Sequence, residues 1–264
     1  QKGNLIIIGA RPSVGKTSLG LNIATHVATV SNQPALIFSL EMSRLELTQR
    51  ILCSEARVDS QKIVNAQMND DDWVRINKGI GHLDEAPIYI DDNPGVSIME
   101  IRAKARRLKS RIGSLGIIVV DYLQLMTGRS AAESRQVEIS EISRGLKLLA
   151  RDLETPVIGI SQLSRNLESR QDKRPMLSDL RESGSIEQDA DLVMFIYRDE
   201  MYNPESNEMG VAEINLAKNR NGPVERVRLA YMPNFTKFAD LSRSDEPESS
   251  TTQKSVLDVD SGNF

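Results

Sequence analysis

Short, uninterrupted apolar runs alternate along the chain with longer stretches of helical periodicity. The runs span residues 5–8, 35–38, 88–90, 117–120, 157–160 and 192–196. None alternates apolar with polar positions, as expected for strands covered on both faces. Helical patterns fill 16–30, 44–56, 98–111 and 136–153. This order predicts βαβ units, hence an α/β fold with a mainly parallel central sheet flanked by helices. Two later runs, 211–218 and 224–231, flank Asn219-Arg220-Asn221-Gly222-Pro223 and predict a C-terminal β-hairpin. Residues 164–178 are polar without a period and predict a mobile loop.

Composition narrows the class. The chain has 264 residues, 39% hydrophobic, enough for one large buried core. No apolar stretch reaches the ~18 residues a membrane span needs. Gln1 lies close before the first hydrophobic run, an abrupt start that suggests part of a longer protein. The single cysteine, Cys53, follows Leu45, Ile51 and Leu52 in a helical pattern and is expected in the core. A cytosolic setting fits a chain that can form no internal disulfide. His26 and His82 are the only histidines, in no catalytic context. From residue 242 onward two basic residues face five acidic ones, so this tail carries −3 of the chain's −4 and the body only −1. Residues 242–264 are expected to form a disordered acidic tail. Any nucleic-acid contact must therefore come from local loops.

The strongest chemical signal is Gly9-Ala10-Arg11-Pro12-Ser13-Val14-Gly15-Lys16-Thr17-Ser18, between a strand and a helix. That is the context of a phosphate-binding loop. Backbone N–H groups and the helix N-terminus face a polyanion, and Gly15 allows close approach. Lys16 would meet the β- and γ-phosphates, and the Thr17 hydroxyl Mg²⁺. The first glycine of the usual motif is here Ala10, with Gly9 one residue earlier.

Three further polar residues end predicted strands, where open α/β sheets bind ligands. Asp121 closes the run 117–120 and suits the Mg²⁺ side of such a site, or simply caps the next turn. Glu41 follows the second run and serves equally as general base or as an acid at a helix start. Gln162 ends the fifth run and is either loop polarity or an amide reporting the γ-phosphate.

Read together and in order, these segments resemble DnaB-type helicases. The resemblance rests on Ala10-Arg11-Pro12-Ser13-Val14-Gly15-Lys16-Thr17, Ser39-Leu40-Glu41-Met42-Ser43, Asp121-Tyr122-Leu123-Gln124-Leu125-Met126 and Ser161-Gln162-Leu163-Ser164-Arg165. It continues through Asp179-Leu180-Arg181-Glu182-Ser183-Gly184-Ser185-Ile186-Glu187-Gln188-Asp189-Ala190-Asp191 and Lys218-Asn219-Arg220-Asn221-Gly222-Pro223. It covers residues 3–241 and implies a RecA-like ATPase domain over 1–241, without the family's N-terminal domain and linker helix.

The resemblance implies ATP and Mg²⁺ as cofactors and a homohexameric ring moving 5′→3′ on single-stranded DNA in the bacterial cytoplasm. Primase and a helicase loader are the implied partners. Glu41 would be the catalytic base, Asp121 the magnesium-side acid and Gln162 the γ-phosphate sensor. Arg220 would be an arginine finger and Lys218 its companion, both acting on ATP held by the neighbouring subunit. Arg181, Glu182 and Gly184 would contact DNA. Two cations two positions apart at a strand end share a face and repel unless an anion lies between them, which a neighbour's triphosphate would supply. Aromatics make up only 4% of the chain, so DNA is expected to be gripped by its backbone. The basic set Arg102, Lys104, Arg106, Arg107, Lys109 and Arg111 reads as a solvated or subunit-facing surface. Two other readings stand beside this one: another RecA-like ATPase, such as a recombinase or clock-type ring, and a catalytically silent ring or loader-binding module.

Overall fold

The computed structural model describes residues 1–127 and 135–241, with only the backbone at 181–183. The expected tail, 242–264, lies outside the described residues. Among the described residues, nine strands form one sheet: β1 (Leu5–Ala10), β2 (Ala35–Ser39), β3 (Ile88–Asp91), β4 (Ile117–Asp121), β5 (Val157–Gln162), β6 (Leu192–Tyr197), β7 (Val211–Asn219), β8 (Glu225–Met232) and β9 (Lys237–Asp240). Their order is β3-β2-β4-β5-β1-β6-β7-β8-β9. The first six neighbours pair in parallel, and β7 to β9 continue the sheet antiparallel.

The helices are α1 (Lys16–Thr29), α2 (Arg44–Ala56), α3 (Ser60–Val64), α4 (Asp70–Asp84), α5 (Ile98–Ile112), α6 (Arg135–Asp152) and α7 (Gly184–Asp189). They cover both faces of the sheet, so each parallel strand points apolar side chains both ways. Leu5, Ile7, Phe38, Ile118 and Val120 pack with Ile101 of α5 and Ile142 and Leu146 of α6. Ile8, Ile37, Val119 and Ile160 pack with Leu21 and Ala24 of α1 and Leu47 and Ile51 of α2. This two-sided burial explains why the strands read as unbroken apolar runs. Cys53 is buried, as expected, whereas Leu45 is 77% exposed.

Three elements lack a clear sequence signal. Helix α4 buries only Asp72, Ile76 and Gly79 and exposes Trp73, Val74 and Ile80, so its apolar face is not continuous. A capping box between Asn69 and Asp72 starts it. Short α3 has no buried residue, and β9 has only four residues.

The segment 164–178 differs from the expected mobile loop. It contains a 3₁₀ turn over Arg165–Ser169 and is held at three points. Glu168 pairs with Arg11, Arg170 with Asp179 at 2.8 Å, and Arg174 with Glu213 at 2.6 Å. Two of these three pairs, to Arg11 and to Glu213, reach partners remote in sequence. The basic helix α5 is likewise largely engaged within the chain. Arg102 and Arg106 pair with Asp152, Lys104 with Asp91, and Lys109 donates to the Leu153 carbonyl. No helix among the described residues is long and apolar enough to cross a membrane.

Candidate nucleotide site

Parallel strands β1, β2, β4 and β5 end at one edge of the sheet, and the loop between β1 and α1 lies there. Gly15 takes φ 114° and Ser13 φ 64°, the left-handed values that fold the loop back on itself. Around Gly15 the loop rests on an aromatic floor from the antiparallel strands. A Cβ at Gly15 would meet Phe238 Cζ at 3.0 Å, and the Phe238 and Tyr231 rings lie 4.7 Å apart. Arg198 stacks 4.3 Å from the Tyr231 ring and donates to the Ser13 carbonyl at 3.4 Å. Sequence reading missed this floor, because it depends on pairing between β7, β8 and β9.

Helix α1 starts with no side-chain cap and no acid in its first turn, whereas α2, α4 and α5 all start with capping boxes. Its first amide groups are therefore left for an outside anion. Lys16 and Thr17 open the helix, both 8% exposed. The Lys16 ammonium lies 3.1 Å from Glu41 Oε2, 3.6 Å from Asp121 Oδ1 and 4.5 Å from the Tyr122 ring centre. The Thr17 hydroxyl donates to Asp121 Oδ2 at 2.5 Å. Register explains the grouping: Ser39 of β2 pairs with Asp121 of β4, so Glu41 projects just past the neighbouring strand end.

Asp121 is 3% exposed, and its Oδ1 has no hydrogen-bond partner. Burial pushes its carboxyl pKa above the ordinary value, against the opposing pull of Lys16 and Thr17. A buried anion with an orphaned oxygen beside a threonine hydroxyl fits a divalent cation. Glu41 is half exposed, open to solvent on the cavity side. The cavity, about 570 Å³, is lined by Pro12, Ser13, residues 15–18, Glu41 and Gln162, together with Arg50, Tyr231 and Thr236.

Two members of the expected set turn away from this cavity. Arg11 is buried with its guanidinium on Glu168 and the Leu163 carbonyl, and Val14 is 2% exposed in the core. Arg11 thus ties the phosphate loop to the 164–178 segment instead of lining the cavity with its side chain.

Gln162 stands between the cavity and a second hollow of about 400 Å³ that Ser164, Asp179 and Leu180 also line. Its backbone is clamped by Gln124, whose amide accepts from Gln162 N–H at 3.2 Å and donates to the Ser161 hydroxyl at 2.9 Å. Sequence reading did not single out Gln124's role, since it depends on two strands lying side by side. The hollow leads to the 3₁₀ segment Leu177–Ser183 and on to α7. The side chains of Arg181 and Glu182 lie outside the described residues. A Cβ at Gly184 would meet open space.

Lys218 and Arg220 lie elsewhere. Asn219 pairs with Leu192, the first residue of β6, so the β7–β8 turn lies at the edge where the parallel strands begin. Their own phosphate loop is at the opposite edge, roughly 20 Å away along the six residues of β1 at ~3.3 Å each. Arg220 is half exposed and rests 3.4 Å from Asp191 Oδ1. Lys218 donates to the Glu187 carbonyl at 2.5 Å, and burial followed by Arg220's charge pushes its amine pKa down. The Asn219 amide braces the turn, donating to the Pro223 carbonyl and accepting from Asn221 N–H.

Comparison with known proteins agrees with this geometry. The family model for the DnaB-like helicase C terminal domain matches residues 1–240. The chain belongs to that family. Across 244 residues it is 54% identical to the replicative DNA helicase DnaB of Geobacillus stearothermophilus, covering 92% of this chain and 54% of the relative. It is 52% identical over the same length to the replicative DNA helicase DnaC of Bacillus subtilis (strain 168), again 92% and 54%. Among solved structures, one described as an ATPase domain superposes with a TM-score of 0.88 at 41% identity, covering 92% of this chain and 86% of that one. A DnaB-like replicative helicase studied with primase gives the same score and identity over 58% of its length. The chain spans about half the length of the curated relatives it matches. As a DnaB-like C terminal domain it has the RecA-like fold: a parallel sheet between helices, extended by antiparallel C-terminal strands.

Proposed function

We propose that this chain is the ATP-hydrolysing motor of a replicative DNA helicase, working as a homohexameric ring that moves 5′→3′ on single-stranded DNA. The observation that carries this reading is the separation of two half-sites. The phosphate-loop cavity lies at one edge of the sheet and Arg220 at the other, so one chain cannot bring both to the same phosphate. Two copies can, if the edge of one meets the cavity of the next. Relatives named replicative helicase support the activity, and the relative studied with primase supports primase as a partner. A helicase loader is a further partner by family likeness.

The roles follow from the chemistry present. Lys16 and the α1 amides, with the loop at Ser13 and Ser18, hold the triphosphate. Arg11 and Val14 give the loop its shape. Glu41, half exposed beside the cavity, takes the proton of the attacking water. Thr17 and, through water, Asp121 would hold Mg²⁺, which supplies charge neutralisation on the phosphates when bound. Gln162 senses the γ-phosphate and hands its state across the second hollow to the DNA-contacting loop at Arg181, Glu182 and Gly184, where the arginine and backbone amides meet DNA phosphates. Arg220, with Lys218 behind it, offsets the charge developing on the neighbour's nucleotide.

Mixing two inactive variants in the full-length chain tests the reading. Lys16→Ala lacks its own cavity's lysine but keeps a sound Arg220; Arg220→Ala has the reverse defect. Each alone is expected to lose ~10³-fold in ATP turnover. Mixed rings should recover activity well above the sum of the two, because some shared sites are then intact. A mixture no more active than that sum would refute it.

A further inference from the structure

One buried carboxylate joins the structure around Arg220. Asp191 is 3% exposed, and it precedes β6 at the edge where β1 begins. Its Oδ2 accepts from Leu5 N–H at 2.8 Å and from the Lys147 ammonium at 2.5 Å. Its backbone carbonyl accepts from Arg220 N–H at 2.8 Å, and its Oδ1 faces the Arg220 guanidinium at 3.4 Å. Lys147 is itself held by the Gly3 carbonyl at 3.0 Å. A cavity of about 500 Å³ opens beside this group, lined by Lys2, Gly3, Lys147, Arg151, Glu154 and Arg220.

Four cations converge on that cavity with one acid in its lining. Mutual repulsion alone would drive Arg220 outward into solvent, where a long side chain has many rotamers. Asp191 opposes this in two ways: its carbonyl fixes the backbone of the turn, and its carboxylate holds the guanidinium and Lys147 together. A group that must meet a phosphate across an interface gains its effect only if held in place beforehand.

We infer that Asp191 is the positioning residue for Arg220, fixing both its backbone and its guanidinium at the mouth of a basic cavity that receives the neighbouring chain's phosphates. The inference rests on the shared-site reading above. Asp191 itself does not touch nucleotide; it acts through Arg220, with Lys147 as the second cation it holds.

The test uses the full-length chain. Asp191→Asn keeps an acceptor for Leu5 N–H and removes the charge. It should lower kcat for ATP by ~10–100-fold, the cost of a small misplacement, with KM changed less than about threefold. Added to Arg220→Ala, it should cause no further loss. Mixed with Lys16→Ala chains, it should recover turnover above the sum of the two, because its own cavity is sound and borrows a well-held Arg220. A chain damaged only in its folding would gain nothing from its neighbour. If Asp191→Asn does not fold, Asp191→Glu, which keeps the charge, carries the same mixing test with a smaller loss. Recovery in Arg220→Ala mixtures without recovery in Asp191 mixtures would overturn this inference alone. Recovery in neither would overturn it together with the shared site.

Discussion

Replacing Asp121 by asparagine should make the free protein more stable while disabling it. The carboxylate is 3% exposed, and one of its oxygens has no hydrogen-bond partner. Lys16 sits 3.6 Å away, yet it is shared with Glu41 at 3.1 Å and does not offset the burial. The upward shift of the Asp121 carboxyl follows from that balance: desolvation, with the nearby Glu41 charge, outweighs Lys16 and the Thr17 bond together. Replacing a whole buried ion pair by neutral groups ranges from neutral to ~1–4 kcal/mol stabilising, whereas removing one partner destabilises when the other charge is left unpaired. Because the new amide would keep the Thr17 bond and Lys16 would keep Glu41, the low end applies, about 1 kcal/mol. That gain would raise Tm by about 2–4 °C in a domain of this size. The pH dependence carries the sign. A raised carboxyl means that the native chain binds this proton more tightly than the unfolded one, so wild-type stability falls as pH rises through the raised value. The asparagine variant lacks that slope. Its advantage should be full once pH is above the raised value and should vanish as pH falls toward the ordinary aspartate value of 3.8. Turnover should drop ~10²–10³-fold, about 3–4 kcal/mol of transition-state stabilisation. Thermal melts in chelator without nucleotide, at several pH values, and steady-state ATP hydrolysis measure both sides. A melt lowered by several degrees at neutral pH, or turnover within threefold of wild type, would refute the reasoning.

Two further outcomes check the packing. Alanine suits a helix better than glycine by ~1 kcal/mol, but a Cβ at Gly145 would lie 2.4 Å from Ile98 Cγ1, between α6 and α5. Gly145→Ala should therefore lose about 1–2 kcal/mol in urea unfolding, because overpacking costs ~1–3 kcal/mol; a gain in stability would show that the helices separate freely. Burial pushes the Cys53 thiol up to about 11, so the native protein should resist iodoacetamide at pH 8 and react once unfolded. Rapid labelling of the native chain would contradict that burial.

Much of the fold was legible because strands covered on both faces must be apolar at every position, and 5–8, 117–120 and 157–160 are. Helices α2 and α5 were equally plain, with a regular apolar face. What stayed hidden depends on contacts that sequence spacing does not carry. Helix α4 is specified by its Asn69–Asp72 cap more than by a continuous apolar face. The segment 164–178 looked like a mobile loop because two of the partners that hold it, Arg11 and Glu213, lie far away along the chain. In the site, Lys16 and Thr17 could be named from the phosphate-loop motif and Glu41 and Asp121 from their places at strand ends, and the structure groups them within hydrogen-bond and ion-pair distance. Arg11 could not be distinguished from its neighbours in the loop, since only the direction of its side chain separates anchoring from phosphate contact. Gln124, Tyr231 and Asp191 gain their roles only once strands distant in sequence lie side by side.

The most direct measurement is the position of the Arg220 guanidinium in a structure of the assembled, full-length protein bound to a non-hydrolysable ATP analogue. The shared-site account predicts it within ~3 Å of a γ-phosphate oxygen gripped by Lys16 of the adjacent chain. A guanidinium directed into solvent in a fully loaded ring, with no phosphate in reach, would contradict it.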